Sequence, residues 1–448
     1  MFIKNKKELS TTKYRKIILE LIETAVKSVA PKNLMRGAIS YNDKKRILKI
    51  RKDNYALSLT GRIFVVGGGK AVGAMAEELE KIIKIKNITA GIVNCNSDSA
   101  NPKKIKVIKA NHPLPSQKGV LGVKNMLALK NRYAIGKNDI VICLISGGGS
   151  ALMPYPADEI SLKDKQKITE LLLNSGADIK EINTVRKHLS KIKGGQFGKF
   201  FSPAMVMSII ISDVIGDDLK TIASGITAPD YSTFKHTLRI IKKYNLHRDI
   251  PQTAIKHLKN GIAEKIADTP KTLNNCKNYI IGNNKFALKA IFKKAKNLNL
   301  KPLIITDKQI GDPAKIANQR AKEILKKKYK NYNCLIIGGE TTPKLPLKHG
   351  KGGRNQHYAA SSILSMKRYK ENWTLVSFNS DGSDFLPNIA GAVIDNNSLK
   401  TARNKKINIT QNIKNYDSNP MLKKIKNSII ITKETETNVG DIIIYILK

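Results

Sequence analysis

The sequence predicts an α/β protein with two α/β domains, the first Rossmann-like with a mainly parallel sheet between helices and the second a smaller mixed α/β domain. Short apolar runs alternate with helical stretches along most of the chain, which is typical of βαβ units. Glycine-rich turns follow several of these runs, as they do where parallel strands lead into helices. The length of 448 residues, 41% of them hydrophobic, suits two folded domains. We expect the first domain to span residues 1–240 and the second residues 241–448.

The elements of the first domain follow from hydrophobic periodicity. Helical apolar spacing predicts a helix over residues 13–30 that Pro31 ends. Apolar runs predict strands at Ile63–Val66, Ala90–Val93, Ile105–Ile108, Ile140–Ile145 and Met205–Ile211. The segment AVGAMAEELEKII after the first of these strands predicts a helix.

The second domain is predicted from a later set of apolar runs. Residues 235–300 are rich in lysine and are predicted to be mostly helical, connecting the two lobes. Strands are predicted at Pro302–Thr306, Leu335–Ile337, Thr374–Phe378, Ala392–Ile394, Ser428–Thr432 and Ile442–Leu447.

The cysteines and the apolar runs argue against several classes of protein. Cys95, Cys143, Cys276 and Cys334 form no C-x-x-C pair, so neither a zinc site nor a disulfide framework is predicted. The N-terminal residues lack the apolar core of a secretory signal. No run of 18 apolar residues predicts a membrane span. We therefore expect a cytoplasmic protein with no membrane partner.

The chain is strongly basic, with 80 Lys and Arg against 35 Asp and Glu, a formal net charge of +45. Such a charge attracts anions, including nucleic acid. The lysines are spread along the whole chain, however, and the aromatic residues, only 6%, do not alternate with them as a base-stacking surface requires. We interpret the charge as a compositional bias and expect no specific nucleic-acid partner. Non-catalytic nucleic-acid binding, with its steep salt dependence, is kept as an alternative.

The first candidate site segment is the turn Gly67-Gly68-Gly69-Lys70 after a strand. Glycines let the backbone approach a ligand and direct N–H groups at an anion, and Lys70 adds a positive charge. The turn is not a Walker A loop, because Ala71 stands where that loop has Ser or Thr, and it is not a dinucleotide fingerprint, because Val72 stands where the last glycine of the fingerprint belongs. Tight packing of a helix on a strand explains the glycines equally well.

The second candidate segment is Ser146-Gly147-Gly148-Gly149-Ser150, which also follows a strand. It lacks the final glycine of a nucleophile elbow, which disfavours a serine hydrolase. Three consecutive glycines and two hydroxyls suit a loop that cradles a phosphate.

Acidic and basic groups follow in the next two segments. Asp213 and Asp217 come after a long apolar strand, where carboxylates can bind Mg²⁺ or accept a hydroxyl proton; capping of a helix is the alternative. The preceding segment contains four basic residues, which we interpret as a solvated helix face: Arg186, Lys187, Lys191 and Lys193.

The second domain contributes three further groups of candidates. Gly339, Glu340 and Thr341 form a turn after a predicted strand. Arg354 and Asn355 follow a Gly-Gly pair, and an arginine can bind a carboxylate or phosphate through two parallel hydrogen bonds. Asp381 and Asp384 follow another strand, where an Asp-Gly turn is the alternative. Glycine turns, fixed cations and scarce carboxylates together are what phosphoryl transfer requires.

These segments resemble, in order, the glycerate 2-kinase family with a MOFRL C-terminal domain, whose members have also been labelled hydroxypyruvate reductases. The matching strings are GGGKAVGAMA, NHPLPSQKG, SGGGSAL, RKHLSKIKGGQ, SDVIGDDLKTIASGITAPD, GGETT, GKGGRNQ and SDGSDFLPNIAGA. They extend from about residue 60 to about residue 395, and the MOFRL region is expected over about residues 334–445.

The resemblance implies two α/β domains with the active site in the cleft between them. It implies transfer of the γ-phosphate of ATP to the 2-hydroxyl of D-glycerate, with Mg²⁺. Lys70 and Arg354 match residues expected to be central to activity, and Asp213 matches the acid after the long strand. We expect ATP phosphates near residues 67–70 and 146–150, and Mg²⁺ held by one or two of Asp213, Asp217 and Asp381.

The chain departs from the family near its C-terminus. Where the family has T-G-P-T-G-T-N-V, this sequence has Thr432-Lys433-Glu434-Thr435-Glu436-Thr437-Asn438-Val439. A helix-like or stiffer turn there would alter lobe closure or substrate choice. NAD(P)H-dependent hydroxypyruvate reduction, with His112 as proton donor, is the alternative activity. Monomer and homodimer are both compatible with the sequence.

Overall fold

The computed structural model describes residues 2–448, which form an α/β protein with two compact units. The central unit is Leu34–Ile281. The split unit combines Gly282–Lys448 with the described residues up to Asn33. The chain therefore leaves one unit, builds the other and returns.

The helices are α1 (Lys6–Leu9), α2 (Lys13–Ser28), α3 (Pro31–Ala38), α4 (Val72–Ile83), α5 (Gln117–Arg132), α6 (Gly149–Leu152), α7 (Leu162–Asn174), α8 (Ile179–His188), α9 (Gln196–Phe200), α10 (Phe234–Lys243), α11 (Gln252–Ile262), α12 (Asn284–Asn297), α13 (Pro313–Leu325), α14 (Arg354–Ser365), α15 (Asn396–Asn404), α16 (Ile409–Lys414) and α17 (Ser418–Ile425). The strands are β1 (Ile39–Asn42), β2 (Ile47–Ile50), β3 (Asp53–Ala56), β4 (Ile63–Gly68), β5 (Ile88–Cys95), β6 (Ile105–Lys109), β7 (Ile140–Ile145), β8 (Met205–Ile211), β9 (Cys276–Gly282), β10 (Pro302–Gln309), β11 (Cys334–Gly339), β12 (Trp373–Asn379), β13 (Ile389–Asp395), β14 (Ile429–Ile431) and β15 (Asp441–Leu447).

The sheet of the central unit has six strands in the order β6-β5-β4-β7-β8-β9. The pairs from β6 to β8 are parallel, and β4 aligns with β7 so that Gly68 lies opposite Ile145. Every residue of β4 and β7 is buried, because helices cover a parallel sheet on both faces. This confirms the predicted parallel sheet and each of its five predicted strands.

A separate helical cluster completes the central unit. Helices α7, α8, α10 and α11 pack their apolar residues together, among them Leu172, Val185, Phe234 and Leu258. An antiparallel sheet of β1, β2 and β3, which the sequence did not predict, precedes β4.

The split unit contains a mixed sheet with the order β10-β11-β15-β12-β13-β14. Only the pair β10 and β11 is parallel among its five pairings. Helices α13 and α14 pack on one face, where Tyr358 and Ile363 meet Leu335 and Tyr445. Helix α2 contacts β12 and β15, and α12 contacts β10 and β11, so the sheet lies between two helical layers.

Three details differ from the sequence-based expectations. Pro31 begins α3 after α2 has ended at Ser28, since proline is well suited to the first helical position. Strand β9 interrupts the lysine-rich segment predicted to be mostly helical. The expected division after residue 240 falls inside the central unit, because α11 packs against α10 and β9 joins the edge of the parallel sheet.

Within residues 2–448, no helix combines the length and the apolar character that a membrane crossing needs.

Candidate functional site

The glycines at the end of β4 pack closely against the turn after β7. A Cβ atom on Gly67 would lie 2.7 Å from the backbone nitrogen of Leu144, and one on Gly69 would lie 2.6 Å from the carbonyl oxygen of Ser146. Both glycines have positive φ angles, 137° and 155°, which side chains disfavour. Of the two interpretations that the sequence left open, tight packing accounts for Gly67 and Gly69 without a ligand.

Ser146 and its neighbours also have partners within the fold. Ser146 is 2% exposed, and its Oγ accepts the N–H of Ala71 at 2.9 Å, at the start of α4. A Cβ on Gly149 would lie 2.8 Å from the carbonyl oxygen of Gly68. The structure therefore joins the two predicted glycine turns into one surface.

Lys70 lies on this surface. Its backbone N–H donates to the carbonyl oxygen of Gly147 at 2.9 Å. A Cβ on Gly148, whose φ is 79°, would lie 3.4 Å from Cγ of Lys70 and 2.8 Å from Cδ2 of His112. Lys70 and His112 thus flank Gly148, so the predicted lysine and the predicted phosphate loop are neighbours.

Ser150, the last residue of the second turn, is surrounded by donors. Its Oγ accepts hydrogen bonds from Nη2 of Arg186 at 2.7 Å and from Nζ of Lys193 at 2.8 Å. The Ser150 hydroxyl also contacts that of Ser224 at 2.7 Å. Lys193 donates a second bond to the carbonyl oxygen of Ser150 at 2.9 Å. Two cations therefore converge on this serine.

The interpretation of the basic segment as a solvated helix face is wrong. Lys187 is 6% exposed and Lys193 is 1% exposed, because the C-terminal end of α8 and the turn after it pack into the central unit. Lys187 forms an ion pair with Asp230 at 3.1 Å, whereas Lys191 is partly exposed and pairs with Asp158. Lys187 and Lys193 are buried and Lys191 is partly exposed, although the three lysines are close together in the sequence.

Lys165 is a further buried cation, which no sequence pattern distinguishes from the lysines around it. It lies on α7, is 7% exposed, and its Nζ has no hydrogen-bond partner within the described residues. Burial, and secondarily the nearby charge of Arg186, lowers the pKa of Lys165 well below its ordinary value. The pKa of Lys193 is lowered for the same reasons and additionally by Lys165.

The predicted metal ligands are divided between the two units. Asp213 and Asp217 follow β8 in the central unit, both partly exposed, whereas Asp381 follows β12 in the split unit and accepts the N–H of Ser383 at 2.8 Å. No cluster of three or more His, Cys, Asp or Glu residues suited to a metal occurs in residues 2–448. Because Mg²⁺ is commonly held by one or two carboxylates plus substrate phosphates, Asp213 or Asp217 alone would supply enough protein ligands for that type of site.

Arg354 begins α14 and is held by two carboxylates of the split unit. Nε and Nη2 donate to the two oxygens of Asp441 at 2.7 and 3.0 Å, and Nη1 donates to Glu340 at 2.5 Å. These acids raise the pKa of Arg354 against the effect of burial. Of five N–H donors, two have no partner within the protein, so Arg354 can contact a ligand only through its two Nη atoms.

Asn355 is used by the fold. It is 1% exposed, its Nδ2 donates to Asp441 at 2.8 Å and Asp384 at 3.2 Å, and its Oδ1 accepts the hydroxyl of Ser377 at 2.6 Å. Asp384 also accepts the backbone N–H groups of Asn355 and Gln356 at 2.9 and 2.8 Å, and so caps α14. Burial raises the pKa of Asp384 to about 6, although these hydrogen bonds oppose the shift.

The remaining residues predicted in the second domain, Gly339, Glu340 and Thr341, lie at the end of β11, where Glu340 contacts Arg354. Gly339 has a φ of 148°, and a Cβ there would lie only 2.8 Å from the carbonyl carbon of Gln309 and closer still to its oxygen and nitrogen, so close packing requires this glycine. Glu340 pairs with Arg354, and Thr341 is 3% exposed. A cavity of about 240 Å³ lies beside Arg354, lined also by His357 and the stacked ring of Tyr416.

The segment that departs from the family forms an irregular loop, so of the expected helix-like or stiffer turn the helix-like form is not observed. Hydroxyl groups hold it: Thr435 donates to the carbonyl oxygen of Ser380 at 2.6 Å, and Thr432 donates to that of Gly382 at 2.7 Å. Glu436, where the family has glycine, is exposed and has a φ of 55°. The backbone therefore keeps a conformation that suits the absent glycine.

Comparison with known proteins supports the resemblance. A family model described as a domain of unknown function (DUF4147) matches residues 17–259, and the MOFRL family model matches residues 333–441. Glycerate 2-kinase from Pyrococcus horikoshii is 36% identical over 97% of each chain. A relative from Agrobacterium vitis, 33% identical over 85% of this chain and 86% of its own, is named only provisionally as a hydroxypyruvate reductase.

The fold is shared as well as the sequence. The crystal structure of glycerate kinase from Thermotoga maritima superposes with a TM-score of 0.83 at 30% identity, covering 97% of this chain and 99% of that one. Both family models, the near-complete alignments and this superposition agree, and the chain belongs to the glycerate 2-kinase family of ATP-dependent kinases.

Proposed function

We propose that this protein transfers the γ-phosphate of ATP to the 2-hydroxyl of D-glycerate, giving 2-phosphoglycerate. The alignment with a glycerate 2-kinase over 97% of both chains carries the proposal. The surface formed by the two glycine turns supports it, because Lys70 lies beside Gly148 at the carboxyl end of a parallel sheet, where ligands of such sheets bind.

Lys70 is proposed to neutralise charge on the transferred phosphoryl group. Phosphoryl transfer gains most from positioning and from fixed positive charge, since negative charge is spread over the phosphoryl oxygens in the transition state. The backbone of residues 67–69 and 146–150 is proposed to line the path of the ATP phosphates. Lys70 precedes α4, and its backbone N–H is hydrogen-bonded to the carbonyl oxygen of Gly147. The position of its backbone is therefore held by the glycine turns.

Mg²⁺ is proposed to be held by one or two of Asp213, Asp217 and Asp381, where it would neutralise phosphate charge. One of the same aspartates accepts the proton of the glycerate hydroxyl as the new phosphate ester forms. Arg354 is proposed to bind the carboxylate of glycerate through its two remaining N–H groups, while Asp441 and Glu340 fix the orientation of its guanidinium.

The direct test is an incubation of the full chain with ATP, Mg²⁺ and D-glycerate, with the product identified by phosphorus NMR. We expect a 2-phosphoglycerate signal from the native protein and strongly depressed turnover from Lys70→Ala. Lys81→Ala is the matched control, because Lys81 is an exposed lysine of the adjoining helix α4 that pairs with Glu77. Normal turnover in folded Lys70→Ala would contradict the role given to Lys70, and an unchanged ATP spectrum would contradict the activity.

Hydroxypyruvate reduction with NAD(P)H has one observation in its favour. His112, the candidate proton donor, lies beside Gly148 on the same surface as Lys70. A fluorescence titration with NADPH separates the two activities. Saturable NADPH binding together with hydroxypyruvate-dependent oxidation would favour the reductase.

A further inference from the structure

Lys165, Arg186 and Lys193 lie near enough in the central unit for their charges to act on one another, and we call these three residues the cation cluster. They come from α7, from α8 and from the turn after α8. Lys165 and Lys193 are buried at 7% and 1% exposure, whereas Arg186 is partly exposed. The Ser150 oxygen accepts from both Arg186 and Lys193, which brings the cluster to the glycine surface.

No carboxylate neutralises the cation cluster. Within residues 2–448, none of its three members forms an ion pair, although the neighbouring Lys187 and Lys191 both do. An unpaired ammonium is strongly disfavoured in a protein interior, so charged groups that are buried are normally paired. The buried lysines of the cation cluster therefore differ from the buried Lys187, which is paired with a carboxylate.

The donors of the cluster are mostly unused by the protein. Lys165 makes no hydrogen bond, Arg186 uses one of its five N–H donors, and Lys193 uses two of its three. A structural role accounts for Lys193, which ties the backbone of Ser150 to the turn after α8. A structural role of this kind does not account for Lys165, because its Nζ connects no two parts of the fold by a hydrogen bond.

The charges within the cluster act on one another. Burial comes first, and mutual repulsion second, in lowering the pKa values of both lysines. An anion placed among the three groups would remove the repulsion and fill the unused donors. Arginine binds tetrahedral phosphate through two parallel hydrogen bonds, and a phosphate dianion offers more charge and more acceptor oxygens than a carboxylate.

We propose that Lys165, Arg186 and Lys193 form a binding site for a phosphate group, entered from the partly exposed side at Arg186 and Ser150. The choice of source rests on the proposed function: either the nucleotide or the phosphorylated product supplies the phosphate. Lys165 acts on the ligand through its charge, and the Ser150 hydroxyl positions the other two cations.

The test is a calorimetric titration of the full chain with inorganic phosphate at constant ionic strength. We expect saturable binding to the native protein and binding about tenfold or more weaker in Lys165→Met, since one partner of a buried charge interaction is lost. Lys167→Met is the matched control on the same helix, because Lys167 is exposed, and it should bind phosphate as the native protein does. Unchanged affinity in Lys165→Met, or no binding to the native protein, overturns the proposal.

Two further measurements keep the test decisive. If Lys165→Met fails to fold, Arg186→Gln replaces it, since Arg186 is partly exposed; unchanged affinity there also overturns the proposal. At a pH well above the second ionisation of phosphate, where the ligand is already the dianion, titrations in buffers of different ionisation enthalpy should show proton uptake on phosphate binding, because the anion favours charged lysines; a purely structural lysine would give none.

The source of the phosphate is identified by titrating a non-hydrolysable ATP analogue and 2-phosphoglycerate against the same variants. The ligand whose affinity falls in Lys165→Met is the one that the cluster binds. Binding of inorganic phosphate needs no turnover. If Lys165→Met loses phosphate affinity but the native protein phosphorylates no glycerate, only the proposed function is contradicted. An active kinase with unchanged phosphate affinity contradicts only this proposal.

Discussion

Replacing Arg354 with methionine removes the partner of a buried carboxylate. Asp441 is 2% exposed and would keep only the hydrogen bond from Asn355 at 2.8 Å. Loss of one partner of a buried ion pair costs about 3–5 kcal/mol, and the contact with the 43% exposed Glu340 adds about 1 kcal/mol at most. With the bond from Asn355 retained, we expect the split unit to lose about 3 kcal/mol of unfolding free energy.

The assay uses the single tryptophan of the chain. Trp373 lies on β12, is 4% exposed and is paired with β15, the strand that Asp441 begins. Its fluorescence during urea denaturation therefore reports on the split unit that contains the substitution. Arg354→Lys keeps the charge but not the two parallel bonds, and should fall between the native protein and Arg354→Met.

A double-mutant cycle with Asp441→Asn isolates the pair. Asp441→Asn leaves an arginine that is 24% exposed and can be hydrated, so its cost should be smaller, about 1–2 kcal/mol. The double variant should be more stable than the sum of the two losses by about 2 kcal/mol. Additive losses, or a loss below about 1 kcal/mol in Arg354→Met, would refute the conclusion that Arg354 is held by Asp441.

Two other perturbations test separate features. Glu436→Gly should raise the urea midpoint measured by Trp373 fluorescence, with a gain of about 0.5–1 kcal/mol in the free energy of unfolding. The reason is that Glu436 has a φ of 55°, which glycine adopts more readily than glutamate. An unchanged or lower midpoint would show that the loop holds Glu436 without strain. The pKa of Lys165 in the folded state is lowered below its ordinary 10.5. Between these two pKa values the unfolded chain binds more protons than the folded chain. The free energy of unfolding of the native protein therefore rises as pH rises through that window. Lys165→Met should therefore gain most over the native protein at the acidic end of the window, in thermal melts followed by circular dichroism, and a gain independent of pH would show that Lys165 is not charged differently in the two states.

Hydrophobic periodicity predicted the strands well because most of them are buried along their length. The runs at Ile140–Ile145 and Met205–Ile211 match β7 and β8 residue for residue. The strands β1, β2 and β3 were missed because each has only four residues, among which the more buried positions alternate with more exposed ones. β9 was missed because it follows helices of similar lysine content and five of its seven residues are not fully buried.

The site was predicted in part. Glycine turns and scarce charges identified Lys70, Ser150 and Arg354, which the structure places among charged or polar partners. Lys165 was missed because only its environment, not its local sequence of alternating lysines, distinguishes it. Asp441 was missed because its partner lies 87 residues away along the chain.

The last strand of the split unit lies in the middle of its sheet. β15 separates β11 from β12, and α2 packs on it while Arg15 of that helix is buried in an ion pair with Asp395 at 2.6 Å. During synthesis on a ribosome, α2 emerges before every strand of its sheet, and the sheet is not complete until β15, which begins at Asp441, has been made. The central unit, made of one continuous segment, can complete its core in the interval. Premature termination after residue 281 but before residue 441 would therefore release a folded central unit with two unassembled, apolar ends, a product that quality-control proteases and chaperones can recognise.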